Sequence, residues 1–348
     1  MYILAHTCIS PQSTFDNSFL DGNVIEHKGI KYDAIEPSYS ETIPRGLLRR
    51  MGKSVRFGVG AGMPLIKEHE NLDGIIVGTA TGGIDNCVTF LNQIIQYNEG
   101  TLTPTHFVQS TPNSIAGHLA LMSKNVGYNC THNNDGLAFE GALLDAFLLF
   151  EENEATQLLV GSVDEDSGYN FNIENMAGYF KNEEETTSTN LLNIDSTGSV
   201  KGEGAAMFVV SKNKKNAIAE LVDIHQFSFP QKNNITERAL EFLIKNNLSF
   251  SDIDGLMLGL NGDNRFDNIY HNLASSFEDA TIYTFKNLVG DYPTATGFAT
   301  WLSCQILSGK TIPSQAIYKS ANKKVKTILI YNNYYGRQHA FHLLRVVD

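Results

Sequence analysis

The 348-residue chain is 42% apolar and 18% charged. That mix supplies a large core and excludes a disordered, collagen-like or small disulfide-scaffold protein. With 26 basic against 38 acidic residues the formal charge is −12. This argues against general nucleic-acid binding, because phosphate neutralisation needs surplus Lys and Arg.

In chain order, Met1–Ser10 reads as a first strand. It has neither the basic n-region nor the long apolar h-region of a signal peptide. No apolar run approaches the roughly 20 residues that a bilayer span needs. A cytoplasmic protein is expected. Ile43–Lys67 has helical periodicity, with Leu47, Leu48, Met51, Val55 and Val59 on one face. Gly74–Val77 is a buried strand that runs into the turn GTATGG, and Ile84–Tyr97 and Ser110–Ser123 follow as helices. Gly127–Thr131 is a short strand, Asp135–Phe150 an apolar helix and Leu158–Val163 a strand. Asn182–Ser199 is acidic and rich in Ser, Thr and Asn, and reads as a surface excursion. The apolar pattern restarts at Ala205–Val210. Ile235–Lys245 is a helix, Gly255–Leu260 a strand and Ala295–Leu307 a small-residue helix. Val325–Tyr331 and Ala340–Val347 close as paired strands.

Strands alternating with helices argue for an α/β fold with mostly parallel pairing. The halves echo each other in IIVGTATGG (75–83) and LMLGLNGD (256–263), and in the small-residue helices Asn113–Leu121 and Thr294–Leu302. A duplicated α/β unit accounts for this, with a first half over 1–165, a connecting excursion over 166–200 and a second half over 201–348. Gly78, Gly82 and Gly83 match neither dinucleotide nor P-loop spacing and read as turn glycines. Cys8, Cys87, Cys130 and Cys304 are widely spaced, with no CxxC pair or zinc-finger spacing. They read as reduced thiols, and neither a metal nor a cofactor is expected.

Several segments resemble, in order, the β-ketoacyl synthases of the thiolase superfamily. They are Arg49–Met51 with FGVGAG (57–62), GTATGG (78–83), QSTPNSIAGHLAL (109–121), DGLAFEGALLDAF (135–147), LLVGSVDED (158–166), GEGA (202–205), KNLVGDYPTATG (286–297) and Asn333–Ala340. FVQSTPNSIAG and GYNCT…AFEGALLDA are similar to motifs of short ketosynthase-like proteins from aryl polyene and flexirubin pathways. The resemblance implies a thiolase fold, with two similar βαβαβαββ halves in an α-β-α-β-α stack that dimerises through the first half.

The family's decarboxylative condensation uses a cysteine and two histidines. Counting back from Gly136, the cysteine position holds Asn133. The first histidine segment has Asn261 and Asp263 in its turn, and the second histidine position holds Asp291. A carboxylate there would repel an enolate. Lys286 remains, with Asp291 or a Glu as its mate. The resemblance therefore implies a chain-length-factor-like subunit that pairs with an active ketosynthase and shapes the acyl pocket. Phe107, Gly117 and Phe139 are expected at the pocket or interface. Arg45, Arg49, Arg50, Lys53 and Arg56 form a basic run in an acidic chain; the family docks an acyl carrier protein there, and Arg45, Arg49, Arg50 and Lys53 are expected to do so. Two readings compete: a condensing enzyme using Cys130 with His132 as base, and a carrier-binding module of ketosynthase fold.

Overall fold

The computed structural model describes every residue except 70, 182–185, 231–233, 322 and 348. The first half contains β1 (Tyr2–Ile9), β2 (Lys31–Tyr32), α1 (Arg45–Leu48), α2 (Lys53–Glu68), β3 (Gly74–Gly78), α3 (Ile84–Gln96) and α4 (Pro104–Val108). It continues through α5 (Ser114–Ser123), β4 (Tyr128–His132), α6 (Ala138–Glu151), β5 (Gln157–Asp164), α7 (Gly168–Met176), β6 (Lys201–Gly202) and β7 (Gly204–Ser211). The second half opens with β8 (Ala219–Ser228), α8 (Ile235–Lys245), β9 (Gly255–Leu258), α9 (Asn264–Ser275), β10 (Thr281–Thr284) and α10 (Lys286–Val289). It closes with α11 (Thr296–Leu307), β11 (Ile317–Lys319), β12 (Thr327–Tyr334) and β13 (Gln338–Arg345).

The strands run β11-β10-β9-β12-β13-β8-β1-β7-β5-β3-β4. The two halves meet where Tyr2 and Ile3 of β1 pair with Glu220 and Ala219 of β8. Each half has the same order. Its second strand, β3 or β9, lies parallel between the third and fourth, and the fifth runs antiparallel between the fourth and the first. This repeated mixed sheet is the duplication that the sequence echo suggested.

Five layers follow from where the apolar side chains go. Val55 and Val59 of α2 and Ile115 and Leu119 of α5 cover the outer face of the first sheet. Phe139 and Leu143 of α6 and Phe298 and Trp301 of α11 fill the space between the sheets. Phe242 and Leu243 of α8 and Tyr270 and Leu273 of α9 cover the second sheet. Every residue of α11 is buried, which only an all-apolar or small-residue helix tolerates.

The structure corrects five readings of the sequence. Antiparallel pairs outnumber parallel ones in the large sheet, so pairing is not mostly parallel: each half closes through antiparallel fourth, fifth and first strands. β7 pairs with β5 and β1, so it completes the first half, and the seam falls after Ser211 rather than at 201. The counterpart of α11, between third and fourth strands, is α6; α5 corresponds instead to α9. The helix expected over Ile43–Lys67 breaks at Gly52, where a Cβ would lie 2.2 Å from Asn86 Nδ2. Gln109 bridges the break by accepting from Gly52 N and donating to Arg50 O. The supposed excursion is partly core: Leu191, Ser199 and Val200 are fully buried, and Leu191 and Val200 cluster with Ile30, Tyr32, Phe171 and Phe180. Residues 182–185 of that stretch lie outside the described residues. No helix among the described residues is long and apolar enough to cross a membrane.

One carboxylate ties the halves together. Asp164, at the end of β5, is buried. Its Oδ1 accepts from Thr79 Oγ1, Ala80 N, Thr81 N and Thr81 Oγ1 in the turn after β3. Its Oδ2 accepts from Thr294 N and Oγ1, just before α11. The three backbone N–H partners can only donate, and the hydroxyls of Thr79 and Thr294 add to them, so an acceptor-only group fits. Asp164→Asn turns an NH2 onto these donors and should lower stability by about 3 kcal/mol or more. An unchanged urea midpoint for that variant would contradict the linkage.

Candidate functional site

The segments that resemble the family's catalytic ones meet where the two halves face each other. The first is the turn from β4 into α6. Asn133, Asn134 and Asp135 are exposed there, and Asp135 has φ +50°, a left-handed conformation unusual for a side-chain-bearing residue. Gly136 N donates to Gln338 Oε1, and Gln338 Nε2 donates to Asn134 O. Gly136 packs flat on Tyr334: a Cβ there would lie 2.4 Å from the tyrosine Cβ. Although Asp135 as a whole is exposed, partial desolvation of its carboxyl raises it above its usual value, and the Arg337 charge opposes the shift.

The second segment carries Lys286, Asp291 and Asn261, all buried. Lys286 Nζ lies 2.8 Å from Asp291 Oδ1 and donates to Asn333 O at 3.1 Å. Asn261 Nδ2 donates to Asp291 Oδ2 at 2.7 Å. The backbone closes the cluster further. Asp291 N donates to Val200 O, Gly202 N donates to Asp291 O, and Ser199 Oγ donates to Asn261 O. The Lys286 charge is paired internally, while Asp291 Oδ1 meets it as an ion-pair contact and takes no further hydrogen bond among the described residues.

Asp263 points elsewhere. It caps α9 by accepting from Arg265 N, and both its oxygens take the Arg265 guanidinium. Asn261, not Asp263, is the side chain of that turn that reaches Asp291.

Two tyrosines that sequence reasoning passed over join the segments. Tyr334, at the end of β12, sits against Gly136 and follows Asn333. Tyr335 has φ +50° and stacks on Tyr179 at 4.2 Å, with Tyr334 edge-on at 4.6 Å. Burial, then neighbouring groups that include Asp291, holds both hydroxyls protonated, well above the usual tyrosine value. The available signal was NNYYGR (332–337) in the segment that resembles a glycine-rich strand turn.

The remaining expected site residues divide. Phe139 is core, stacked on Phe208 between the sheets. Phe107 is exposed on α4 against Phe90. A Cβ on Gly117 would meet nothing within 4 Å. In the basic run, Lys53 is tied to Glu203 at 2.7 Å and Arg56 makes a two-point pair with Glu36. Arg45, Arg49 and Arg50 are exposed. Cys130 is half-buried on β4, with its Sγ 3.8 Å from His132 Nε2.

β4 pairs only with β3 and ends the sheet, so its outer edge is open. Exposed apolar side chains lie on the helices packed against it, Leu121 of α5 and Leu148 of α6, and on Val126 just before it; Leu91 and Ile95 of α3 and Val108 of α4 are exposed as well. Val126 is 99% exposed and Leu121 80%. An apolar rim beside a bare strand edge is a surface that soluble chains usually cover.

Residues 26–188 match the family model described as beta-ketoacyl synthase, N-terminal domain. Over the whole chain, the fold matches a beta-ketoacyl synthase from Burkholderia phymatum with a TM-score of 0.79. That match has 15% identity and covers 100% of this chain and 99% of the other. A ketosynthase in complex with its chain length factor from Xenorhabdus doucetiae matches at 0.77, with 17% identity over 99% of this chain and 98% of that one. A type II polyketide synthase acyl-carrier protein in complex with its ketosynthase, bound to the hexaketide, matches at 0.75, with 13% identity and 99% of each chain covered. No curated protein sequence matches. The chain therefore has the fold of these ketosynthases, and within it residues 26–188 are similar to the family's N-terminal domain.

The Lys286–Asp291 pair makes a test of the site's architecture. Lys286→Met alone strands a buried carboxylate and should cost about 3–5 kcal/mol. Adding Asp291→Leu should recover much of that loss in urea unfolding, whereas independent sites would simply add.

Proposed function

We propose that the protein is a cytoplasmic, chain-length-factor-like subunit. On this reading it does not condense by itself, but pairs with an active ketosynthase in polyene- or polyketide-type chain elongation. One observation carries the reading. The Lys286–Asp291–Asn261 cluster holds no thiol or imidazole, and its groups are spent on each other. Condensation needs a nucleophile to take the acyl group and donors free to stabilise an enolate. Here Lys286, the one cation, is neutralised by Asp291, and Tyr334 packs against the turn where the family's cysteine would stand.

The open β4 edge and its apolar rim support the second half of the reading. They suit a partner of the same fold, adding its own edge strand and covering α3, α4 and α5. Such an interface should bury well over ~2,000 Å² and be apolar at its centre. Arg50 lines a cavity with Leu47, Val108 and His118, and Arg45 and Arg49 are exposed in the same short segment. These arginines are suited to an acidic acyl carrier protein. Lys53 contributes less, because Glu203 already holds it.

The rival reading, condensation by Cys130, has geometry against it. Cys130 Sγ faces His132 Nε2 at 3.8 Å, and the same Nε2 is bound by Asp145 at 2.8 Å. A base that spends its only facing nitrogen on a carboxylate has none left for the thiol proton. Cys130 also lies within a strand rather than at a helix terminus, where a thiolate would be stabilised.

Co-expression with ketosynthases that keep a Cys-His-His set tests the pairing. A one-to-one complex is expected in native mass spectrometry. Gly117→Trp should break it by overpacking, since the position is open in the chain itself. Arg49→Glu with Arg50→Glu should reduce carrier-dependent product, more at low salt than at high. A stable monomer that ignores every ketosynthase offered would overturn the proposal.

A further inference from the structure

On the strand that ends the sheet, Tyr128, Cys130 and His132 alternate onto one face. α6 lies over that face and brings in Asp145. Cys130 Sγ stands 3.8 Å from His132 Nε2, and His132 Nε2 stands 2.8 Å from Asp145 Oδ2. The three donor atoms all lie within 4.8 Å of one another. Tyr128 OH donates to both Asp145 oxygens, at 3.3 and 3.1 Å, and fixes the carboxylate. Gly141, one helical turn before Asp145, makes room for the ring: a Cβ there would lie 3.2 Å from His132 Nδ1. Each of the three ligand residues is only half-buried, so an ion can reach them from the open rim.

We propose that Cys130, His132 and Asp145 form a zinc site, with water as the fourth ligand. The donor chemistry is that of zinc: thiolate, imidazole and carboxylate together favour a borderline ion over magnesium or calcium. Zinc bonds of about 2.0–2.3 Å place ligand atoms roughly 3.3–3.7 Å apart in a tetrahedron. The Sγ to Nε2 separation is already close to this. The Nε2 to Oδ2 separation must open by about half an ångström, since the ion takes the place of the proton these atoms share. The protons balance simply. The Cys130 thiol releases one to solvent, the single ring proton of neutral His132 moves from Nε2 to Nδ1, and nothing is oxidised or reduced. Tyr128 then orients the carboxylate ligand, as outer-shell partners of metal sites commonly do.

The consequence is mechanical. A bound ion would staple the free edge strand to α6 immediately before Asn133–Asp135, stiffening the border of the apolar rim. The inference stands apart from the proposed function, because it is read on the chain alone, without partner or carrier.

Titration of the purified full-length chain with cobalt(II), followed by competition with zinc against a chromophoric chelator, tests it. One equivalent should bind, with visible bands of a four-coordinate cobalt ion and a near-ultraviolet thiolate-to-cobalt band. Cys130→Ser should abolish the thiolate band and weaken zinc binding by about tenfold or more, and Asp145→Asn should weaken binding while keeping the band. Cys87→Ser, which alters the other half-buried thiol, should match the parent. Zinc should raise the unfolding temperature of the parent and not that of Cys130→Ser, whose metal-free melting should stay native-like. Absence of a thiolate band in the parent, or equal zinc affinity in Cys130→Ser, would overturn the assignment.

Discussion

The fold turns on the Asp164 carboxylate. Two similar α/β halves must be held so that the segments at their mutual face keep one geometry. Pairing between β1 and β8 joins the sheets over only two residue pairs. Asp164 supplies a second fastening at the face itself. Through Oδ1 it holds the turn after β3, and through Oδ2 it holds Thr294. Thr294 lies three residues beyond Asp291, so the same carboxylate that shapes the first half's turn sets where the second half's buried cluster stands. A buried carboxylate held by three backbone N–H groups and by threonine hydroxyls has little freedom to relax.

What the halves bring together is closed rather than open. Lys286, Asp291 and Asn261 answer each other, Arg265 answers Asp263, and Tyr334 packs on the glycine that begins the α6 turn. On the proposed reading, these residues kept the geometry of a ketosynthase and exchanged its reactivity for internal satisfaction. Such a chain has its exposed features elsewhere: the bare β4 edge, the apolar side chains near it, and the three exposed arginines ahead of α2.

The elements with strong periodicity were legible in the sequence. β3, α3, α6, α8 and α11 stand close to where apolar spacing put them, and the duplication was visible in the turns after β3 and β9. The sequence also offered Asp291 as a mate for Lys286, because the two are near in chain and opposite in charge. The failures share a cause: they depend on contacts between distant segments. Nothing local tells that Asn261 rather than Asp263 reaches Asp291, since both sit in one short turn and backbone direction decides. Nothing local ends a helix at Gly52 unless Asn86 and Gln109 are known to close on it. The stretch around Leu191 looked like a polar loop because its few apolar residues find partners from Ile30 to Phe180. Asp145 joined Cys130 and His132 only once α6 was laid over β4, so no spacing rule could have flagged the three together.

The central claim is that this chain does not carry the acyl chain itself. Intact-mass analysis, after incubation with an activated acyl thioester, tests it most directly on the chain alone and in complex with a cysteine-bearing ketosynthase. The account predicts no added mass on this chain in either sample, with acylation confined to the partner. A stable acyl adduct on this chain that disappears in Cys130→Ser would contradict it.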